Sequence, residues 1–171
     1  MDEILYYDNV EIAPWTYVLA ATRDGLTYVG VKNDQGISIY SYYPNRMLIR
    51  DPERLKPYVK ELKEYFSGKR RKFDLPIDIS SFGTPFQRGV LEMVTRVPYG
   101  TTVSYGDIAA SLDNARSVRA VAHAVALNPV LIVIPCHRII MSNGKIGGYR
   151  LGAKEKLRLI NLEKSYLHGN Y

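Results

Sequence analysis

Cysteine and histidine are scarce in this chain, which has one cysteine and three histidines in 171 residues. A single thiol excludes an internal disulfide bond. Three scattered histidines and one thiol also lack the ligand spacing of a structural zinc site. The sequence therefore predicts no metal site, and it contains no pattern that calls for a bound cofactor.

Long apolar runs are missing as well. The longest, Pro129 to Pro135, is far shorter than the ~20 residues that cross a bilayer. The start, Met1-Asp2-Glu3, is acidic where a secretory signal would be basic. We therefore expect a cytoplasmic protein that does not associate with membranes. Hydrophobic residues still make up 46% of the chain, enough for one large domain or two small ones, which argues against disorder.

Positive charge is concentrated in the second half of the chain. Residues 1–80 carry 12 basic and 12 acidic side chains, whereas residues 81–171 carry 11 and 5, which accounts for the net charge of +6. Lys and Arg supply most of the non-specific affinity for nucleic acid by neutralising phosphates. The second half is thus either a nucleic-acid-binding region or a basic surface without a partner.

Residues 1–80 read as a small α+β domain. The β-like runs Trp15 to Ala21, Leu26 to Val31 and Ile37 to Tyr43 alternate with turn signals, and they predict an antiparallel meander. Apolar residues then recur at helical spacing from Pro52 until Ser67-Gly68, which predicts one helix. The basic tetrad Lys69 to Lys72 is interpreted as a solvated connector.

Residues 81–171 predict a mainly helical second domain. Thr84-Pro85 is typical of a helix start, and Ser104 to Asp107 resembles a capping box before a short helix through Leu112. Asn114 is a plausible N-cap for the next helix, Ala115 to about Leu127. Two short helices joined by a tight corner outline a helix-turn-helix, although any pair of packed helices gives the same outline.

The segment from Asn128 to Ile140 is the most informative. Its first part reads as a buried strand that Pro135 ends, which places Cys136 and His137 on a turn. A lone cysteine is often an inert buried thiol. Here His137 and Arg138 are positioned to stabilise a thiolate, the reactive form. The residues alone therefore indicate either a cysteine nucleophile or an inert core thiol.

A family resemblance favours the nucleophile. The O6-alkylguanine-DNA alkyltransferases have an active-site signature similar to Ile134-Pro135-Cys136-His137-Arg138-Ile139-Ile140 with Asn128-Pro129 upstream. The similarity runs from about Thr84 to Glu163. It includes Val103-Ser104-Tyr105, Arg119-Ala120-Val121, Ser142-Asn143-Gly144, Gly147-Gly148-Tyr149-Arg150-Leu151-Gly152, Lys156 and Glu163. The first part of the chain agrees with the family only in its general α+β pattern.

This resemblance implies a chemical role for each catalytic residue. Cys136 would accept the alkyl group, and His137 would take the thiol proton through a bridging water while Glu163 holds the imidazole. Asn128 would brace the turn. Tyr105 would help to protonate the departing guanine. An S-alkyl cysteine is a thioether, so each molecule would react once.

The resemblance also implies a mode of DNA binding. The partner would be double-stranded DNA carrying an alkylated guanine, with alkylated thymine as a second lesion, and the base would be flipped out of the stack. The helix near Asn114 would enter the minor groove, with Arg119 filling the space that the base leaves. The other expected contacts are Ser104, Arg116, Ala120, Ile139, Tyr149, Arg150 and Leu151. We expect a monomer without an obligatory protein partner.

Two positions depart from the family pattern. Asp113 stands where a glycine is common in the corner between the helices, and Leu151 stands where relatives have a small or aromatic residue. The second departure leaves the tolerance for bulky alkyl groups open.

Two other functions compete with repair. A cysteine hydrolase would also use a Cys-His pair. A pure DNA-binding module would keep Tyr105 and Arg119 but would not need Cys136.

Overall fold

The computed structural model describes residues 4–112 and 117–169, and these form two compact units. The N-terminal unit runs to Phe82 and includes Pro129–Leu131. The C-terminal unit consists of Gly83–Asn128 and the residues from Ile132 onward. The predicted α+β class is confirmed. No helix within the described ranges has both the length and the apolar character needed to cross a membrane.

The N-terminal unit contains a four-stranded sheet. Its strands are β1 (Ile4–Ile12), β2 (Trp15–Ala21), β3 (Leu26–Val31) and β4 (Met47–Arg50), in the order β3-β2-β1-β4. The pairs β1–β2 and β2–β3 are antiparallel, whereas β4 pairs parallel to β1. Every residue of β3 is buried.

The prediction of a third strand from Ile37 to Tyr43 is wrong. A short helix, α1 (Ile39–Tyr42), occupies this stretch, and Ser41 Oγ accepts a hydrogen bond from the backbone N–H of Ser38 (3.0 Å). Local serine hydrogen bonds of this kind outweigh the β propensity of isoleucine and tyrosine. The fourth strand of the sheet is β4, which pairs with β1 although the two strands are far apart in sequence.

The predicted helix after Pro52 is confirmed as α2 (Pro52–Phe66). Asp51 caps it by accepting a hydrogen bond from the backbone N–H of Arg54, and it ends at Ser67. Its buried side chains include Leu55, Leu62 and Tyr65. These residues cover β1 and β2 and complete the core of the N-terminal unit.

The C-terminal unit is mainly helical. It contains α3 (Pro85–Thr95), β5 (Val103–Ser104), α4 (Tyr105–Ala110), α5 (Val118–Ala126), a 3-10 turn (Cys136–Arg138), β6 (Ile139–Ile140) and α6 (Ala153–Leu167). Thr84 and Ser104 each form a capping box, which confirms both predicted helix starts. Helix α4 ends at Ala110, two residues before the predicted end.

Helix α5 begins at Val118 with Ser117 as its N-cap, and it packs against α3 and α4. The predicted start at Ala115 with Asn114 as N-cap is therefore wrong by three residues, because the side chain of Ser117 caps the helix instead. The predicted corner, Asp113-Asn114, lies outside the described residues. The helix-turn-helix therefore stays a prediction.

The stretch from Val130 to Ile134 does not form the predicted strand. The stretch makes only isolated bridges, one of which joins Val130 to Val29, and Ile132 has a positive φ of 72°. A β-branched residue in this region is an outlier, because its side chain crowds the backbone. The chain therefore turns before it reaches the cysteine.

Candidate active site

Cys136 begins the 3-10 turn, directly after Pro135. Its backbone N–H donates to the carbonyl oxygen of Ile134 (2.8 Å), and Nδ2 of Asn128 donates to the same oxygen (2.8 Å). Asn128 is 1% exposed and Cys136 is 6% exposed. Asn128 thus hydrogen-bonds the turn that carries the cysteine, and the thiol has a small exposed area.

His137 and Glu163 form a buried pair. Nε2 of His137 lies 2.7 Å from Oε1 of Glu163, and the two side chains are 0% and 1% exposed. A carboxylate only accepts hydrogen bonds, so Nε2 carries the proton and Nδ1 keeps the lone pair. His137 is therefore the tautomer that can accept a proton at Nδ1.

The ionisation of this pair follows from its surroundings. Burial would raise the pKa of Glu163, but hydrogen bonds and positive charge from His137 and Arg138 outweigh burial and lower it to about 2. Burial also lowers the pKa of His137, against the opposing effect of Glu163. At neutral pH the pair is thus an ionised carboxylate beside a neutral imidazole, which is the state required of a general base.

The expected thiolate is corrected by the structure. Burial raises the pKa of Cys136, although the Asn128 side chain and the charges of Arg150 and Lys156 oppose this effect. Arg138 does not point its charge at the sulfur; it binds Glu163 instead. The resting side chain is therefore a thiol, and reaction requires a base to remove its proton.

Tyr105 is brought close to the cysteine segment by the parallel pairing of two short strands, β5 and β6. Strand β5 pairs with β6 in the register Val103↔Ile139 and Ser104↔Ile140, so the first residue of α4 lies beside the segment that follows the cysteine. Tyr105 is half-buried, and burial together with the proximity of Cys136 raises its pKa. It is thus a protonated hydroxyl that is able to donate.

Lys156 lies beside the Tyr105 hydroxyl. Its Nζ donates to the carbonyl oxygens of Ile139 (2.5 Å) and Gly148 (3.1 Å) and approaches Tyr105 Oη at 3.5 Å. Lys156 is fully buried, and this burial lowers its pKa to about 8. No role for Lys156 follows from the sequence, because lysine is usually exposed and no feature along the chain marks this one as buried.

The residues predicted to contact DNA have different surroundings. Arg119 is exposed on α5 and makes no hydrogen bond or ion pair with any described residue, and Ala120 is half-buried beside it. Nη1 of Arg150 donates to the carbonyl oxygen of Asn128 (3.1 Å). Ser104 caps α4.

The other residues predicted to contact DNA or the base lie in the loop before α6, in β6 and outside the described residues. Tyr149 and Leu151 are half-buried in the loop before α6, and Ile139 is buried with its carbonyl oxygen bound by Lys156. Arg116 lies outside the described residues.

Comparison with known proteins identifies two family models that together match most of the chain. Residues 5–79 match the ribonuclease-like domain of 6-O-methylguanine DNA methyltransferase, and residues 85–165 match its DNA binding domain.

Individual relatives agree with these models. The inducible methylated-DNA–protein-cysteine methyltransferase of Bacillus subtilis is 38% identical over 94% of this chain and 90% of its own length. That of Methanosarcina barkeri is 37% identical over 95% and 99%. Among solved structures, the Mycobacterium tuberculosis O6-methylguanine methyltransferase has a TM-score of 0.82 at 33% identity, covering 95% of this chain and 94% of its own. A complex of the M. tuberculosis protein with DNA has the same TM-score at 32% identity, covering 94% of each chain.

Proposed function

Because the chain belongs to the 6-O-methylguanine DNA methyltransferase family, we propose that it repairs DNA by moving an alkyl group from O6 of guanine to Cys136. The observation that carries this proposal is the buried pair of His137 and Glu163 beside the only cysteine of the chain. The pair supplies the base that the protonated thiol needs.

The reaction balances with the residues of this site. His137 takes the proton of the Cys136 thiol, and the sulfur attacks the alkyl carbon. A C–S bond forms as the C–O6 bond breaks, and the electron pair of that bond passes to the guanine. Tyr105 donates its proton, so the base leaves neutral, and the proton on His137 returns to Tyr105 through solvent.

Single turnover follows from the product. A thioether is a poor leaving group, and the described part of the site supplies no second thiol to accept the alkyl group. The protein is consumed in a one-to-one reaction.

DNA would bind through the minor groove. Arg119 and Ala120 lie on the first turns of α5, where a long cation next to a small residue suits close approach to a narrow groove and filling of the space left by a flipped base. We propose that a monomer suffices for this contact.

The test is mass spectrometry of the protein after incubation with an excess of a duplex containing O6-methylguanine. We expect one added methylene equivalent on the peptide carrying Cys136. We expect none with an unmodified duplex or with Cys136→Ala, which should keep its affinity for DNA. An O4-methylthymine duplex tests the second lesion in the same assay. An unmodified Cys136 after prolonged exposure to excess lesion contradicts the proposal, and hydrolysis of an acyl ester without DNA labelling would favour a cysteine hydrolase.

The binding mode has its own test. Arg119→Ala should slow transfer from a duplex but leave transfer from the free base O6-methylguanine unchanged, because the free base needs no flipping. An equal loss on both substrates would contradict the role assigned to Arg119.

A further inference from the structure

Arg138 is a buried cation whose position is fixed from two sides. It is 7% exposed, and its Nη1 donates to the carbonyl oxygen of Val97 (2.7 Å), just after α3. Its Nε and Nη2 donate to the carboxylate of Glu163 at 2.9 to 3.2 Å. The guanidinium also lies over the ring of Tyr99, 5.6 Å from its centre. Arg138 is therefore held by a partner that does not depend on Glu163.

The Glu163 carboxylate faces donors on both oxygens. Oε1 binds Nε2 of His137 and the guanidinium of Arg138, and Oε2 accepts from the backbone N–H of Gly100 (3.1 Å) as well as from Nε of Arg138. A protonated carboxyl group would point a hydrogen at one of these donors. The arrangement thus suits the anion alone.

A rigid guanidinium fork restricts this carboxylate more than a point charge would. Bidentate contact fixes both the plane and the distance of the carboxylate, and the Val97 carbonyl fixes the guanidinium in turn. The orientation of Glu163 towards His137 is then set by Arg138 and not only by the backbone of α6.

We propose that Arg138 is a positioning residue for alkyl transfer: it holds Glu163 ionised and turned towards Nε2 of His137, so that Nδ1 is the nitrogen that receives the Cys136 proton. This inference rests on the proposed function. Arg138 touches neither the sulfur nor the base, so it acts only through Glu163 and His137.

The charges that face His137 determine what loss of Arg138 does. They are Glu163 and Lys156 on α6 and Arg138 on the 3-10 turn itself. Burial lowers the pKa of His137, and Arg138 and Lys156 add to this effect, whereas Glu163 opposes it. Removal of the Arg138 charge therefore raises the pKa of His137. The imidazole then becomes protonated at a higher pH, and the acid limb of the transfer rate moves to higher pH.

The chain offers a matched control on the same helix. Arg158 binds Glu155 with a similar fork, Nε to Oε2 at 2.9 Å and Nη2 to Oε1 at 2.7 Å, about two helical turns before Glu163. Arg158→Met therefore removes an arginine from a carboxylate of α6 and keeps His137, Arg138 and Glu163 themselves unchanged.

The experiment compares wild type, Arg138→Met, Arg138→Lys and Arg158→Met. Single-turnover methyl transfer from an O6-methylguanine duplex is measured across the pH range, and the tautomer and titration of His137 are followed by nitrogen-15 NMR of the imidazole. We expect Arg138→Met to shift the acid limb and the imidazole titration to higher pH. Arg138→Lys should show a smaller shift in the same direction, because lysine keeps the charge but not the fork. Arg158→Met should match wild type.

Several outcomes would overturn the inference. One is an Arg138→Met profile lowered equally at every pH, as a merely structural role predicts. Another is an unchanged His137 signal in Arg138→Lys, which decides the question if Arg138→Met does not fold. In a Glu163→Gln background, Arg138→Lys should cause no additional shift, and an additive shift would mean that Arg138 does not act through Glu163. A wild-type protein that transfers no methyl group would instead contradict the proposed function, while the NMR comparison remains readable.

Discussion

Replacement of Glu163 by glutamine should weaken both the fold and the reaction. Glutamine keeps the size of the side chain but removes the charge, and its amide group places hydrogens opposite the donors of Arg138. Arg138 would then be a buried cation without its carboxylate. Breaking a buried ion pair in this way typically costs about 3–5 kcal/mol.

The pKa of Glu163 gives a second measure of the same effect. Its folded-state value is lowered from 4.5 to about 2, and each pKa unit corresponds to about 1.4 kcal/mol, so the ionised carboxylate stabilises the folded protein by about 3 kcal/mol at neutral pH. Because the folded pKa lies below the unfolded one, this contribution is complete above about pH 4.5 and is lost as the pH falls towards 2. Glutamine does not titrate, so the difference between the two proteins should shrink over that interval.

Urea unfolding followed by circular dichroism at neutral and acid pH measures this difference. Glu155→Gln is the control: the Glu155 side chain is also buried, but its partner Arg158 is 37% exposed, so loss of this carboxylate leaves no buried unpaired cation and should cost less than loss of Glu163. A Glu163→Gln loss no larger than that of the control, or one that is equal at neutral and acid pH, would refute the reasoning. The transfer rate should fall about 10²–10⁴-fold, the usual contribution of a general base.

Further predictions concern other buried positions. Burial lowers the pKa of Lys156 from 10.5 to about 8, so its ammonium opposes folding below pH 8; urea unfolding should show wild type gaining stability as the pH rises from 8 to 10.5, and Lys156→Met should show no such gain. Asn128→Ala removes a buried hydrogen bond and should cost about 1–3 kcal/mol. The same change should raise the pKa of Cys136, because the amide lowers it, and the pH dependence of iodoacetamide labelling would show the shift. Gly25→Ala should destabilise the protein by about 1–3 kcal/mol, because a Cβ there would lie 2.7 Å from a backbone carbonyl oxygen, whereas Gly89→Ala, with no atom within 4 Å, should not lower the melting temperature.

Helix starts were predictable because their signals are local. The side chains of Thr84 and Ser104 bind backbone groups three residues away, so the sequence contains both partners. Strands were less predictable. Ile37 to Tyr43 has suitable β propensity, yet local serine hydrogen bonds favour a helix there. Strand β1 contains Asp8, Asn9 and Glu11, which hide its alternation.

The sequence by itself determined the chemistry that is present: one thiol, an imidazole next to it, and a motif that assigns Glu163 to the same site. Only the tertiary structure decided how these groups are charged, because burial and neighbouring charges set each pKa and neither can be read from spacing along the chain. It brought Glu163 to His137 across 26 residues and turned Arg138 towards that carboxylate and away from the sulfur. It also buried Cys136, so that the resting group is a thiol.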